Sequence, residues 1–465
     1  MASKDAEPAD AVKLRQNADV TSPGDSSLFS PSEDAQDRAV AKARRRLIPF
    51  LLLMYVISFL DRANIGFAKQ AMQASVGISE HAFAMAAGLF FITYAVFELP
   101  SNLILHRVGA RIWMARIMVT WGVASMATMF VTGSASFYLL RLLLGAAEAG
   151  FFPGVILYLT YWFPRKVRGE IVGLIYFGAP LAFILGGPIS GLLLQMHPHF
   201  GLWNWQWMFL MEGFAAVAVG FWSYWFLDSR PTDARWLSAE EKQALAGLLA
   251  REQEEQRAHS PAQIISLFAD LRIAEFVLIY ALIQVSVYGA VFYLPSEVSA
   301  ILHRPTGIAV GVVSAIPWLC ALVAAFCVPW LADKLRKHRQ LASATLFISG
   351  CASLALPMVP PYLGLAALSI AISGLIAAQP IFWTLPTNYL AGRTAAGGLA
   401  IINALGSVGG FVAPNVKVWA DQFFGSQRAG TFLLAAITIL NAGLIAITGD
   451  SNYRASPKRN RGENK

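Results

Sequence analysis

Long apolar runs separated by short polar stretches fill the chain from residue 46 to residue 449. A helix that crosses the hydrocarbon core of a bilayer needs about 20 predominantly apolar residues. Twelve such runs are predicted, at 46–68, 82–105, 112–132, 137–162, 170–195, 205–227, 272–295, 308–331, 340–358, 362–388, 396–420 and 430–449. Six precede a polar segment and six follow it. The pattern predicts an all-α integral membrane protein, with twelve transmembrane helices in two pseudo-symmetric six-helix bundles. Its expected domains are a disordered tail (1–43), a first bundle (44–228), a linker (229–270), a second bundle (271–450) and a tail (451–465). The linker contains SAEEKQALAGLLAREQEEQ, whose Glu, Lys, Leu and Ala content predicts an exposed helix.

Composition agrees with this: the chain is 56% hydrophobic and only 14% charged, unlike a soluble domain. Lys and Arg set the orientation, because short cytoplasmic loops retain them. Arg44, Arg45 and Arg46, then Arg107 and Arg111, then Arg165, Lys166 and Arg168, then Lys334 to Arg339, and finally Arg393, fall on one side. The other side holds few, chiefly Lys69, Arg304 and Arg428. Both termini are therefore expected in the cytoplasm, with the chain spanning the cell's inner membrane and bathed by its lipid bilayer. The net charge of +8 follows from these loops and implies no nucleic-acid partner. Cys320, Cys327 and Cys351 lie within apolar runs without metal-type spacing and are read as packing residues. The seven histidines sit at helix ends or in loops, so neither a metal site nor a cofactor is expected. No nucleophile–base set or phosphate loop appears, which argues against an enzyme.

Corresponding positions in the two halves look alike, as after a duplication. HRVGAR follows the second run and ADKLRKHR the eighth; Arg168 precedes Gly173 as Arg393 precedes Gly398. The fifth run holds Gly186, Gly187 and Pro188, and the eleventh holds Gly409, Gly410 and Pro414. Such residues permit close helix crossing.

Charge inside the runs carries the chemistry. Asp61 and Arg62 lie in the first run, Arg141 and Glu148 in the fourth. Each ion costs about 2.5 to 3.5 kcal/mol in mid-membrane, and mutual pairing offsets that cost. Helix rise places both pairs at one depth, roughly 6 to 17 Å below the outer boundary. Arg141, Gly145 and Glu148 share one helix face, and the bare glycine is expected to leave room for a ligand. Two carboxylates and two guanidiniums sum to zero. Protonating Asp61 and Glu148 leaves a charge of +2, which attracts an organic carboxylate that arginine can grip with two parallel bonds. The competing reading is a static network that fixes helix 1 against helix 4. The second half is nearly free of mid-depth charge but offers Gln284 and Tyr288, Gln379 and Trp383, each pair i,i+4, and Asn403. These can bind the hydroxyls of a polyol while an aromatic ring covers its C–H face, or simply bond helix to helix. Glu212, early in the sixth run, is read as structural, and Trp203, Trp205 and Trp207 as an interfacial belt.

The stretches FLDRANIGFA, RLLLGAAEAGFFPG, YWFPRKVRGE and WQWMFLMEG, within the 6 + 6 plan, resemble the anion:cation symporter family of the major facilitator superfamily. IQVSVYGAVFYLPSEV, SAIPW and AAQPIFWTLPTNYL are similar to its bacterial sugar-acid (rhamnonate-type) permeases. The resemblance implies proton coupling by Asp61 and Glu148, and substrate binding or gating by Arg62, Arg141 and Tyr94. It also implies gating by Arg111, Asp333 and Lys334, although His106 stands where the superfamily's first latch has Asp. The expected function is proton-coupled import of a small organic anion, foremost an aldonate such as rhamnonate, by a monomer working through alternating access. Tartrate, phthalate or another dicarboxylate, drug export, and an anion sensor that moves nothing are the alternatives.

Overall fold

The computed structural model describes residues 33–196, 200–257, 270–390 and 395–448. The first half contains α1 (Glu33–Val76), α2 (Glu80–Val108), α3 (Ala110–Ala127), α4 (Ser134–Glu148), α5 (Phe151–Trp162), α6 (Arg165–Tyr176), α7 (Gly178–Gln195) and α8 (Asn204–Phe226). A linker helix, α9 (Ala239–Arg257), follows. The second half contains α10 (Leu271–Leu302), α11 (Ile308–Leu335), α12 (His338–Ala355), α13 (Pro361–Tyr389), α14 (Ala395–Gly406), α15 (Gly409–Phe423) and α16 (Ala429–Ile447). Among the described residues, eleven stretches are long and apolar enough to cross a membrane. The remaining expected run is α3, whose Arg111 and Arg116 lower its hydropathy.

α1 to α8 pack as one bundle and α10 to α16 as another. They meet along three seams, α1 with α10, α2 with α15, and α7 with α11. The last is a backbone-to-backbone crossing. A Cβ added at Gly191 would lie 2.6 Å from the Gly307 carbonyl oxygen, and one at Gly187 would strike that of Gly311. Larger side chains would force the halves apart; the sequence set Gly187 beside the eleventh run's glycines as a repeat equivalent, whereas the glycine it meets across the seam is Gly311.

Three spans are broken rather than continuous. The fourth parts between α4 and α5, where Gly150 adopts a left-handed φ of 85°. Pro153, in the first turn of α5, lacks the N–H that would bond the Ala149 carbonyl, so it costs nothing there that the left-handed Gly150 has not already broken. The fifth and eleventh spans also break, at Phe177 and at Ser407–Val408, the second directly before Gly409 and Gly410.

The end carrying Lys69 and Gln70 is closed. Gln70 donates to Ser299 Oγ (3.3 Å) and accepts from the Thr306 N–H (3.3 Å), while Asn415 Nδ2 reaches the Ala84 carbonyl (3.4 Å). Between the halves a cavity extends toward the basic loops as far as Gly169 on α6 and Pro329 on α11.

Several expectations are corrected. Residues 33–43, expected in a disordered tail, form the first turns of α1, with Ala35, Ala39 and Ala43 fully buried. Trp205 is no belt residue: it is buried, and its Nε1 donates to Ser75 Oγ (2.8 Å). Cys320, Cys327 and Cys351 are exposed rather than packed inside, since they fall on the outer faces of α11 and α12. Residues 1–32, 258–269 and 451–465, with Arg393, His197 and His199, lie outside the described residues.

The linker helix is tied down as well as exposed. Ser238 and Glu241 cap each other reciprocally at its start, the Ser238 N–H donating to Glu241 Oε2 (2.9 Å) and the Glu241 N–H to Ser238 Oγ (3.2 Å). Lys42 on α1 donates to the same carboxylate (2.9 Å). The Lys42 bond, followed by the Ser238 N–H, holds the Glu241 carboxyl below its ordinary pKa. A depressed carboxyl stabilises the fold above its unfolded pKa and stops doing so as pH falls through its folded value. Limited proteolysis of the linker in detergent is expected to accelerate on acidification below about pH 4. Glu241→Gln is expected to give the faster cleavage already at neutral pH; equal rates for the two proteins would contradict this anchoring.

Candidate functional site

The cavity measures about 470 Å³ and is lined from both halves. Arg62 of α1 is its focal cation. Arg62 Nε and one terminal nitrogen both donate to Glu148 Oε1, at 2.9 and 2.6 Å, and Ser58 Oγ donates to the same oxygen at 2.7 Å. The other terminal nitrogen crosses the seam to Tyr288 OH at 3.1 Å. Aromatic rings surround the guanidinium, with centroids of Phe59, Phe90 and Tyr94 at 5.0, 5.3 and 5.1 Å. Removing one partner of so buried a pair costs about 3 to 5 kcal/mol. Glu148 is fully buried and is the last residue of α4, so the break at Gly150 sets its position. Its second oxygen, Oε2, has no hydrogen-bond partner. The grip on Arg62 therefore uses one carboxylate oxygen rather than a parallel fork.

The four ions expected to meet do not form one hydrogen-bonded cluster: Arg62 pairs with Glu148, and Asp61 and Arg141 each have other partners. Asp61 turns into the first bundle, where it accepts from Ser125 Oγ and from Asn64 Nδ2 (3.2 Å). Glu212, buried beside Asn64, accepts from Ser190 Oγ (2.7 Å), so it belongs to this interior group and not to the cavity wall. Successive helical residues point about 100° apart, which is why Asp61 and Arg62 cannot share a direction. Arg141 is buried away from the cavity, its Nε on the Ala86 carbonyl (3.4 Å) and its guanidinium 5.0 Å from the Phe90 ring. Among the described residues it forms no ion pair within 4.0 Å. Gly145 leaves no ligand space either. A Cβ there would collide with the Phe90 carbonyl and Thr93 Oγ1, because α2 crosses α4 at that point.

The second half matches the expectation more closely. Gln284, Tyr288, Gln379, Trp383 and Asn403 all line the cavity, as does Tyr94 from the first half. Gln284 Oε1 is buried without a partner. The residues expected to gate lie at the basic end. Arg111 Nε donates to the Tyr224 carbonyl (2.7 Å), Asp333 meets His338 Nε2 (2.7 Å), and Lys334 lies over Trp330 (5.0 Å). Ser58 and Tyr280 escaped the sequence reading, and Glu98, on the same helix face as Tyr94, was given no role in the site. Glu98 Oε1 accepts from Asn403 Nδ2 at 3.0 Å, joining the halves beside the cavity. Its position four residues beyond Tyr94 was the available signal. The wall is also more aromatic than expected, with Phe59, Phe91, Phe151, Phe152, Phe177 and Phe183 along it. Among the described residues there is no cluster of three His, Cys, Asp or Glu able to hold a metal.

Residues 51–414 match the family profile of the Major Facilitator Superfamily. The chain is 43% identical over 409 residues to the inner membrane transport protein RhmT of Escherichia coli, covering 88% of this chain and 95% of that one. It is 39% identical over 431 residues to a proposed tartrate transporter of Agrobacterium vitis, covering 92% and 95%. The inward-open structure of the xylose transporter XylE from E. coli superposes with a TM-score of 0.69 at 14% identity, over 86% of this chain and 94% of that one, a likeness of fold alone.

The crossing at Gly145 makes a direct test. Gly145→Val is expected to lower the thermal unfolding midpoint in detergent, through overpacking worth about 1 to 3 kcal/mol, and to reduce folded yield. Leu143→Val, at a half-exposed position on the same helix, is expected to leave the midpoint almost unchanged. Equal stability of the two variants would contradict the α2–α4 contact.

Proposed function

Because the chain belongs to the Major Facilitator Superfamily of membrane transporters, we propose that it is a proton-coupled symporter importing a small organic anion, foremost a sugar acid, across the inner membrane. The observation that carries this reading is the sharing of Arg62 between Glu148 in one half and Tyr288 in the other. A substrate carboxylate and Glu148 are rivals for one guanidinium. When Glu148 is ionised, Arg62 is neutralised and an incoming anion meets a satisfied cation. A proton on Glu148 leaves the guanidinium free to grip the substrate, so proton and anion load together. Arg62 also touches both halves, so a change in its partner alters the seam that must open and close as the bundles rock.

Asp61 is the second proposed proton site, enclosed with Asn64, Ser125 and Glu212 on the opposite face of α1, where it can respond to the movement of α1 rather than to the substrate. Arg141, lacking a direct carboxylate partner, is proposed to supply positive potential from behind Phe90. Tyr94, Gln284, Tyr288, Gln379, Trp383 and Asn403 are proposed to contact the substrate, and Arg111, Asp333 and Lys334 to latch the basic end. The basic loops support cytoplasmic termini, and the path lies within a single chain, which supports a working monomer. The relatives' names support both sugar-acid and tartrate cargo. A second reading, export of an aromatic drug, has the phenylalanine-rich wall in its favour.

Proteoliposomes with an imposed inward proton gradient are expected to accumulate a radiolabelled aldonate. Glu148→Gln should abolish that accumulation while retaining substrate counterflow. Arg62→Lys should raise KM by about tenfold or more, since a lysine cannot replace three directed donors. Undiminished gradient-driven uptake by Glu148→Gln would overturn the coupling role, and preference for an uncharged aromatic compound would favour export.

A further inference from the structure

We infer that Glu98 sets the substrate class, by holding Asn403 so that one wall of the cavity is a hydrogen-bond acceptor surface that admits a hydroxylated chain and turns away a second carboxylate. The inference rests on the proposed anion site at Arg62 and adds to it what lies at the other end of the substrate.

Glu98 is 5% exposed, and its Oε1 accepts from Asn403 Nδ2 at 3.0 Å. A carboxylate cannot donate, so the Asn403 amide must turn its nitrogen toward Glu98. Its carbonyl oxygen Oδ1 accepts from the Tyr280 hydroxyl at 3.4 Å, and both residues line the cavity. Glu98 Oε2 and Gln284 Oε1 are buried acceptors without a hydrogen-bond partner; Gln284 lines the cavity, and Glu98 lies outside the lining, bonded to Asn403. Arg62 supplies the opposite character, since its guanidinium only donates.

Tyr94 lies between these two ends. Its ring is 5.1 Å from the Arg62 guanidinium, and Glu98 follows it by one helical turn, about 6 Å further toward the basic end. A carboxylate bound at Arg62 can therefore extend its chain toward Asn403, which lines the same cavity. Terminal hydroxyls can donate to the remaining lone pairs of Asn403 Oδ1 and of the Tyr280 hydroxyl. A terminal carboxylate has no proton to donate and approaches the Glu98 carboxyl across Asn403, where two ionised carboxylates repel in a low-dielectric setting. The wall accordingly favours a polyhydroxy monocarboxylate over the dicarboxylate of the same skeleton.

Calorimetric titration of the purified wild type with matched six-carbon aldonates and aldarates tests this, because each pair differs only in a terminal hydroxymethyl or carboxylate. Wild type is expected to bind an aldonate about tenfold or more tighter than its matched aldarate. Glu98→Gln, which keeps size and can still bond Asn403, is expected to bring the two within about threefold of each other. Equal affinities in the wild type, or an unchanged preference in a Glu98→Gln protein that still binds the aldonate, would overturn the role of Glu98 while leaving the anion site intact. If no pair gives binding to the wild type, the anion-site reading fails and this inference with it. Should the variant fail to fold, the wild-type comparison decides the matter.

Discussion

A guanidinium held between two bundles of membrane helices cannot discard its charge, so everything around Arg62 is organised to keep that charge satisfied. Glu148 takes two of its donors, Tyr288 takes a third, and three aromatic faces cover the rest. The break between α4 and α5 exists at Glu148 because Gly150 permits a left-handed turn, which Pro153, in the first turn of α5, accommodates without cost. Ser58, one turn earlier on α1, fixes the carboxylate oxygen that Arg62 uses. Any ligand that displaces Glu148 must reproduce its charge, which makes an anion the natural occupant and a proton the natural means of exchange.

The same constraint explains the separation of the two carboxylates. Asp61 and Glu212 sit inside the first bundle with hydroxyl and amide partners, while Glu148 and Glu98 flank the cavity from either side of Tyr94. Arg62 and Arg141 are the guanidiniums beside these four carboxyls, so the balance of zero drawn from Asp61, Arg62, Arg141 and Glu148 left out Glu98 and Glu212.

Much of this was legible in the chain. Apolar runs marked the helices, the polar segment after residue 228 separated the halves, and the glycines of the fifth run marked the close crossing that α7 makes, although not the Gly311 that it meets. The i,i+4 pairs Gln284–Tyr288 and Gln379–Trp383 reached the cavity as helical spacing requires. What failed did so for definite reasons. A glycine between two ions looks like space in one dimension, but Gly145 is where α2 crosses, so its missing side chain is filled by backbone. Arg141 shares a face with Glu148 yet lies on the Ala86 side of the crossing, where only packing between helices decides what it meets. Helix breaks within apolar runs leave hydropathy unchanged, so only Gly150 and Pro153 could announce the one at Glu148. Glu98 lies as deep in its run as Asp61 does, but its partner Asn403 is in the other half, and nothing in the sequence joins the two.

Proton movement accompanying substrate entry tests the central claim, rivalry between Glu148 and the substrate for Arg62, most directly. Proteoliposomes carrying a pH-sensitive dye inside, with no initial pH gradient and the membrane potential clamped, would receive an external aldonate. The account predicts luminal acidification that follows substrate entry in time and amount and disappears in Glu148→Gln while counterflow persists. Substrate entry without acidification in the wild type would contradict it.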